Sequence, residues 1–515
     1  MGINNIKYWL YALFTIGLLK ALFFSHIGLN LMFDDNQEYL HGRLILEGKL
    51  IYRDFHSFFP PFADYHTSLT LLFTENILIL RYIHSFIFAF LPPLIFLLGR
   101  YISKSAPLSF LAALLIIFGP NRPDKYFLFT FLLLSFLLVF QALRSERYKY
   151  VFLTLSGCLY SIILLFRYDL TVYYVIASCF LVLMHNFQKR ENFRNFLLSS
   201  AKYLVVLLLP VVLVIGILLF WSFINNNLNN LIQSIVIVAI GSNYHSSVNL
   251  LTLGNLFPSE ISPQSVNSAF EGWLYIYILS IAGLLIYFLF KTFKIKKIED
   301  RVAGAMIVPF LLAIPYILPR MDTGHLFKGS MSILVLLPFV LSRSGKVLRK
   351  WFVFITILVL FAFIARSYNW TKFNDSYVDF KRKGSVFMNS SYTQASTRIS
   401  SDTYLKAVDF LSSSRQQYVF AAPYMGSLYY FSDKNPPVKY SNLLVGYTEA
   451  GAEDYIIEGI ESKDVERIIY DPDGGPNRDI GGAKIIYPKL NSYLLSNFEI
   501  SFKSREGWLF LLKPN

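Results

Sequence analysis

Two carboxylates, Asp34 and Asp35, stand side by side where the first hydrophobic run of this chain gives way to a polar loop, FDDNQEYLHGRLILEGKLIYRDFHSFFPPF. A carboxylate beside the hydrocarbon boundary is costly to desolvate, so its presence there calls for a function. Within hydrogen-bond reach of a hydroxyl it can act as a general base. Partial desolvation and repulsion from its neighbour both raise its pKa toward a useful value. Glu38, a turn further on, and Asp54 beyond it are acids that could support the pair. The structural alternative is that Asp35 is an N-cap and Glu38 completes an acidic capping box. Capping needs only one of the two aspartates.

Cations recur at the ends of other apolar runs: Arg122 and Lys125, with Asp124, in NRPDKY; Arg167 in RYD; Arg320, His325 and Lys328 in PRMDTGHLFKG. Arginine grips phosphate bidentately and lysine acts as a point charge, so these are candidates for holding an anionic phosphate. The competing reading makes Arg167–Asp169 and Arg320–Asp322 structural ion pairs. Tyr39, Tyr52, Tyr65 and His66 in the first loop, and Tyr244 and His245 further on, could wall a sugar site. Aromatic faces stack on sugar C–H surfaces, although an interfacial aromatic belt has the same composition. No HxxxH or cysteine cluster appears, and the adjacent aspartates are too weak a signal to specify Mg²⁺ or Mn²⁺, so a divalent cation stays an open but unsupported alternative.

The elements that must position these groups are membrane helices. Of the 515 residues, 55% are hydrophobic and only 16% charged, which a soluble domain of this length could not carry on its surface. About eleven apolar runs have the length of spans: approximately 8–33, 77–99, 106–119, 126–143, 150–166, 170–187, 203–223, 271–290, 303–318, 326–342 and 351–366. The first is expected to be a retained anchor rather than a cleaved signal peptide. Lys and Arg crowd alternate connections, whereas 225–272 contains neither. The positive-inside rule therefore puts the N-terminus inside, and the first loop and residues beyond about 367 outside. The formal charge of +14 sets this orientation and does not point to nucleic acid. Cys158 and Cys179 fall within apolar runs and imply no disulfide framework.

The domain reading is a transmembrane part over 1–366, whose first outer loop (34–65) carries the site, a polar linker over 367–400, and an extracytoplasmic α/β domain over 401–515. Within the last, strand-like runs (Tyr418–Ala422, Arg467–Tyr470, Phe498–Phe502, Trp508–Leu512) alternate with helix-like ones (Thr403–Leu411, Ala452–Ile460, Tyr487–Ser496).

Asp35 just after the first span, Tyr39, Leu46-Glu47-Gly48, Tyr52-Arg53-Asp54-Phe55 and Pro60-Pro61 together resemble the first loop of GT-C glycosyltransferases. The resemblance leans to the branch of protein O-mannosyltransferases and the lipid A aminoarabinose transferase. It implies a polytopic α-helical fold with an outer domain, and transfer of a sugar from a polyprenyl-phosphate donor to a hydroxyl of a glycan, lipid or protein. It implies no required cofactor. On it, Asp35 matches the first-loop carboxylate, with Asp34 as the alternative, and Asp124 matches a second-loop acid. A bacterial or archaeal plasma membrane is the expected location. Two other readings stand beside this one: a transporter or flippase for a lipid-linked glycan, and a non-catalytic subunit of polysaccharide assembly.

Overall fold

The computed structural model describes residues 3–26, 35–57, 59–119, 123–189, 192–235, 263–291, 297–317, 323–369, 377–379, 383–387, 400–443, 448, 451–474 and 482–514. α1 (Ile3–His26) fills the first apolar run, and α2 (Asp35–Leu46) and α3 (Phe62–Leu71) lie in the loop after it. Then follow α4 (Ile77–Phe88), α5 (Leu91–Ser103), α6 (Ala106–Phe118), α7 (Pro123–Arg144), α8 (Lys149–Leu164), α9 (Tyr168–Lys189) and α10 (Phe193–Ile224). α11 (Pro263–Lys291), α12 (Ile298–Ile317), α13 (Thr323–Gly329), α14 (Met331–Arg343) and α15 (Lys346–Asn369) complete the helical part.

Every run expected to span is helical over most of its length. Among the described residues six stretches are long and apolar enough to cross a membrane: Ile6–His26, Ile77–Ser103, Lys125–Arg144, Tyr168–Gln188, Phe193–Ile224 and Lys346–Ala365. Ala106–Phe118, Lys149–Leu164, Gly272–Phe288 and Met331–Arg343 are shorter apolar helices. The run at 77–99 is two helices rather than one. Pro92 and Pro93 occupy the opening turn of α5, where missing N–H groups cost nothing, and the chain turns at Ala89-Phe90 before them. The run at 326–342 is interrupted at Ser330, between α13 and α14.

Two compact units emerge from the contacts. One comprises Met1–Phe24, Arg81–Leu218 and Ser246–Asn369; the other comprises Ser25–Leu80, Leu219–His245 and Trp370–Asn515. The first is the helical unit, with a core that includes Phe88, Phe96, Phe129, Phe136, Leu181, Met306 and Leu334. The second joins the first loop to the C-terminal domain, whereas the sequence alone draws the division at 366–400.

In that second unit β1 (Tyr377–Asp379) and β2 (Ser385–Phe387) form an antiparallel pair. Next come α16 (Ser401–Ser412), β3 (Phe420–Ala422), α17 (Gly426–Phe431), α18 (Ala452–Ser462) and β4 (Arg467–Tyr470), then α19 (Ala483–Ile486), α20 (Pro488–Asn497), β5 (Glu499–Lys503) and β6 (Leu509–Leu512). The sheet order is β3-β4-β6-β5, with β3 parallel to β4 and the other pairs antiparallel. Ile456 and Ile460 of α18 and Leu490 and Leu494 of α20 bury against Phe420, Ile468 and Leu511 of the strands. The expected α/β alternation is present, element by element.

Local chemistry defines α2 sharply. Gly48 takes φ +82°, Gly48 N–H donates to Ile45 O (2.9 Å), and Lys49 N–H donates to Leu44 O (3.0 Å). That is a Schellman stop, which needs the left-handed residue that glycine supplies. α3 begins right after Pro60-Pro61, so the proline pair launches a helix instead of only ending a loop. α2 and α3 pack closely at Gly42, where a Cβ would stand 2.9 Å from Thr67 Cγ2 and 3.0 Å from Ser68 N. Gly42→Ala should therefore force the helices apart at a cost of about 1–3 kcal/mol. Thermal unfolding in detergent measures this, and an unchanged midpoint would contradict the close approach.

Candidate functional site

α2 starts at Asp35, so Asp35 is its first helical residue rather than the N-cap before it. Downstream, α2 is held from both sides. Tyr39, 3% exposed, lies 5.7 Å from the ring of Tyr430 on α17. On the α3 side His41 Nδ1 is 3.1 Å from Asp64 Oδ1, and both side chains are only 1% exposed. Among the described residues, the buried His41 Nε2 and Asp64 Oδ2 have no hydrogen-bond partner. Unsatisfied buried polar atoms are costly and uncommon. This dyad was invisible in the sequence, where the two residues lie 23 positions apart with no motif between them.

The rest of the loop is wound tightly. Asp54 accepts from Arg53 Nε and Nη2 (2.9 Å each) and from Leu50 N–H (2.8 Å). The Arg53 guanidinium, chiefly, holds the Asp54 carboxyl below the usual carboxylate range, so this expected supporting acid is an ionised turn-former. Tyr52, at φ +70° in the left-handed region, donates its hydroxyl to Phe59 O at 2.7 Å and is 5% exposed. Asn227, fully buried, donates from Nδ2 to Ile51 O at 2.7 Å. Tyr65 meets Trp221 edge-on at 6.4 Å. His66 is half-buried with Nδ1 3.2 Å from Phe62 O, which makes Nδ1 the protonated nitrogen there, and burial lowers its pKa. Tyr39 and Tyr52 are thus packing residues in this structure, while Tyr65 and His66 keep partial exposure.

The helical unit gathers cations at one set of helix ends. Arg167 donates to Asp169 from Nε (3.0 Å) and Nη2 (2.7 Å), and Lys328, 8% exposed, acts electrostatically on the same carboxylate. Phe327, its neighbour, presses on Gly119, where a Cβ would stand 2.2 Å from the ring. Lys20 of α1 donates to Gly119 O at 3.4 Å. Next to Lys20, Ala21 O accepts from Ser85 Oγ (3.1 Å), and His84 stacks on Phe127 at 4.2 Å. Phe127 meets Phe166, beside Arg167, at 5.7 Å. Through neighbours in sequence these contacts link Lys20, His84, Arg167 and Lys328, and buried Arg81 lies one turn before Ser85. Lys20, Arg81 and His84 were not among the residues singled out from sequence. Their signal was present, however: a charge or imidazole inside an apolar run.

Several expected residues cannot be placed. Asp34, Arg122, Arg320, Tyr244 and His245 lie outside the described residues, and only the backbone is described for Asp35, Asp124 and His325. Lys125 is half-buried at the start of α7, and Glu38 is half-buried on α2. Among the described residues no group of three or more His, Cys, Asp or Glu could hold a metal ion.

No family model matches the chain, and no curated protein does. Three solved structures of an oligosaccharyltransferase from Archaeoglobus fulgidus are similar to it. One is tethered to an acceptor peptide containing the NVT sequon (TM-score 0.52, 11% identity, covering 99% of this chain and 74% of that one). A second, named AglB, is in complex with an inhibitory peptide and a dolichol-phosphate (0.51, 12%, 99% and 74%). The third is the apo form (0.52, 10%, 99% and 75%). At these identities the likeness is one of fold alone.

Two measurements test the loop geometry. Asp64→Ala would strand both His41 nitrogens and should cost about 1–3 kcal/mol, with a His41–Asp64 coupling of at least about 1 kcal/mol in a double-mutant cycle. For His66, the lowered folded pKa means the unfolded chain binds protons first as pH falls through its ordinary value of about 6.5. Its contribution is therefore present above that pH and lost below it. The unfolding midpoint should drop between about pH 7 and 5, and His66→Gln should flatten part of that slope.

Proposed function

We propose that the chain is an inverting glycosyltransferase that moves a sugar from a polyprenyl-phosphate donor to a hydroxyl of a glycan, lipid or protein. The acceptor would lie on the outer face of a bacterial or archaeal plasma membrane. The observation that carries this reading is the two-bond pairing of Arg167 with Asp169, with buried Lys328 acting electrostatically on the same carboxylate, at the helix ends of a unit built from apolar helices. Two cations sharing a single carboxylate can accept a further negative group, and a lipid-borne phosphate departs at such a depth.

In this scheme the acceptor oxygen attacks the anomeric carbon while its proton passes to Asp35. The bond from that carbon to the phosphate oxygen breaks, and the lipid monophosphate leaves as an anion that cations must stabilise. One displacement inverts the configuration. Asp169 orients the guanidinium through its two hydrogen bonds and moderates the local charge, so that the product anion can leave. Asp35 is preferred to Asp34 for its spacing to Tyr39, and as first residue of α2 it is not committed to the capping position. The scheme needs no metal. The branch of protein O-mannosyltransferases and the aminoarabinose transferase fits the first-loop residues best.

A transporter reading draws on Lys20, Arg81 and His84, which lie inside apolar segments. Transport sites favour the bilayer midplane, whereas Lys20 and Arg81 sit toward the ends of Ile6–His26 and Ile77–Ser103. Surface chemistry is the better match.

Purified protein given a panel of polyprenyl-phosphate sugars should release lipid phosphate in step with acceptor glycosylation. Asp35→Asn should lower kcat by about 10²–10⁴-fold, the share of a general base. Arg167→Ala and Lys328→Ala should each weaken donor use by about tenfold or more. Full activity in both Asp34→Asn and Asp35→Asn would remove the proposed base, and protein-dependent movement of donor across vesicles without transfer would favour transport.

A further inference from the structure

Arg43 of α2 reaches across to the C-terminal domain. Nη1 donates to Tyr429 O at 3.2 Å, and Nη2 donates to Lys434 O and to Asn435 Oδ1 (2.8 Å). Glu47 on its own helix (3.4 Å from Nε) and Asp433 (3.7 Å from Nη1) share its charge, and its side chain is 16% exposed. Lys383 approaches the same corner, donating to Tyr430 O and Asp433. The carbonyls ending α17 thus receive two cations, the charge preferred at a helix C-terminus. Around this corner Tyr430 donates its hydroxyl to Glu75 O (2.8 Å), Asn435 donates to Glu47 (3.3 Å), and His56 N–H pairs with Lys439 O (2.8 Å).

Most of the bonds converging on Arg43 come from uncharged backbone or amide oxygens set at fixed points by α17 and the turn after it. The planar guanidinium fork spreads its donors over several fixed directions, which suits acceptors set apart from one another; a lysine gathers its three donors on a single atom. The arrangement recognises a geometry rather than a charge.

We propose that Arg43 is a positioning residue: it clamps α2 to the C-terminal α/β domain, so that this domain supports the first-loop carboxylate rather than acting as a separable appendage. The inference rests on the glycosyltransferase reading for its catalytic consequence, and on the hydrogen bonds alone for its mechanical one. Arg43 does not touch the reacting atoms in this scheme; it acts through the helix that begins at Asp35.

The test uses the full-length protein in detergent or nanodiscs, with Arg43→Ala, Arg43→Lys and, as a control, Lys406→Ala, an exposed lysine that pairs with its helix neighbour Asp402 and lies over the Phe502 ring. Hydrogen exchange should show the α2 amides losing protection in both Arg43 variants, while β3, β4 and β6 keep theirs. Transfer assays should show kcat reduced about tenfold to a hundredfold, the scale for misplacing a catalytic group by about 1 Å, with acceptor KM within about twofold. Arg43→Lys should rescue little. Unchanged α2 protection, or loss of protection throughout the sheet, would overturn the clamp; loosened α2 with undiminished kcat would overturn its catalytic role. Should the wild type transfer no tested sugar, the exchange experiment still decides the clamp, and the failure belongs to the glycosyltransferase reading.

Discussion

A charge placed among apolar groups must be met by another group or it costs more than the fold can supply. That constraint organises both units of this protein. In the helical unit it pairs Arg167 with Asp169 and seats Lys20 against the Gly119 carbonyl. In the other it pairs His41 with Asp64 between α2 and α3 and surrounds Arg43 with oxygens. Ordinary apolar packing surrounds these contacts, but they decide which helix ends meet and how α2 is held. The residues that satisfy burial are therefore close neighbours of those proposed for catalysis.

What was legible in the sequence was whatever has a local period. The apolar runs emerged as helices, and β4 occupies the four residues Arg467–Tyr470 that the β-branched pattern marks. α2 stops before Gly48, which takes the left-handed conformation that ends the helix. Less legible were features set by single residues with two readings. Pro60-Pro61 reads as a helix breaker, yet in the structure Pro61 is the N-cap from which α3 starts. Pro92-Pro93 divides a run whose hydrophobicity alone looks continuous.

The candidate site was legible only in part, for a related reason. Arg167 and Lys328 were recognisable one at a time from their place at span ends, but nothing local says that they share Asp169. Asp54 looked like an acid to spare until Arg53 and Leu50 took both of its oxygens. His41, Asp64 and Arg43 carried no motif at all. Their partners are set by tertiary packing, to which hydrophobic periodicity is blind.

The acceptors of Arg43 also set an order of events during synthesis. Tyr429 lies 386 residues after Arg43, and the unit that holds them draws on three separate stretches of chain. At about 5–20 residues per second, the first loop waits roughly 20–80 s between leaving the ribosome and meeting its support. Through that interval α2 and α3 hold to each other by the close approach at Gly42 and the His41–Asp64 contact, with Trp221 and Asn227 joining the loop midway. The buried dyad would then serve as a holding contact, keeping the helix pair together until the last quarter of the chain arrives.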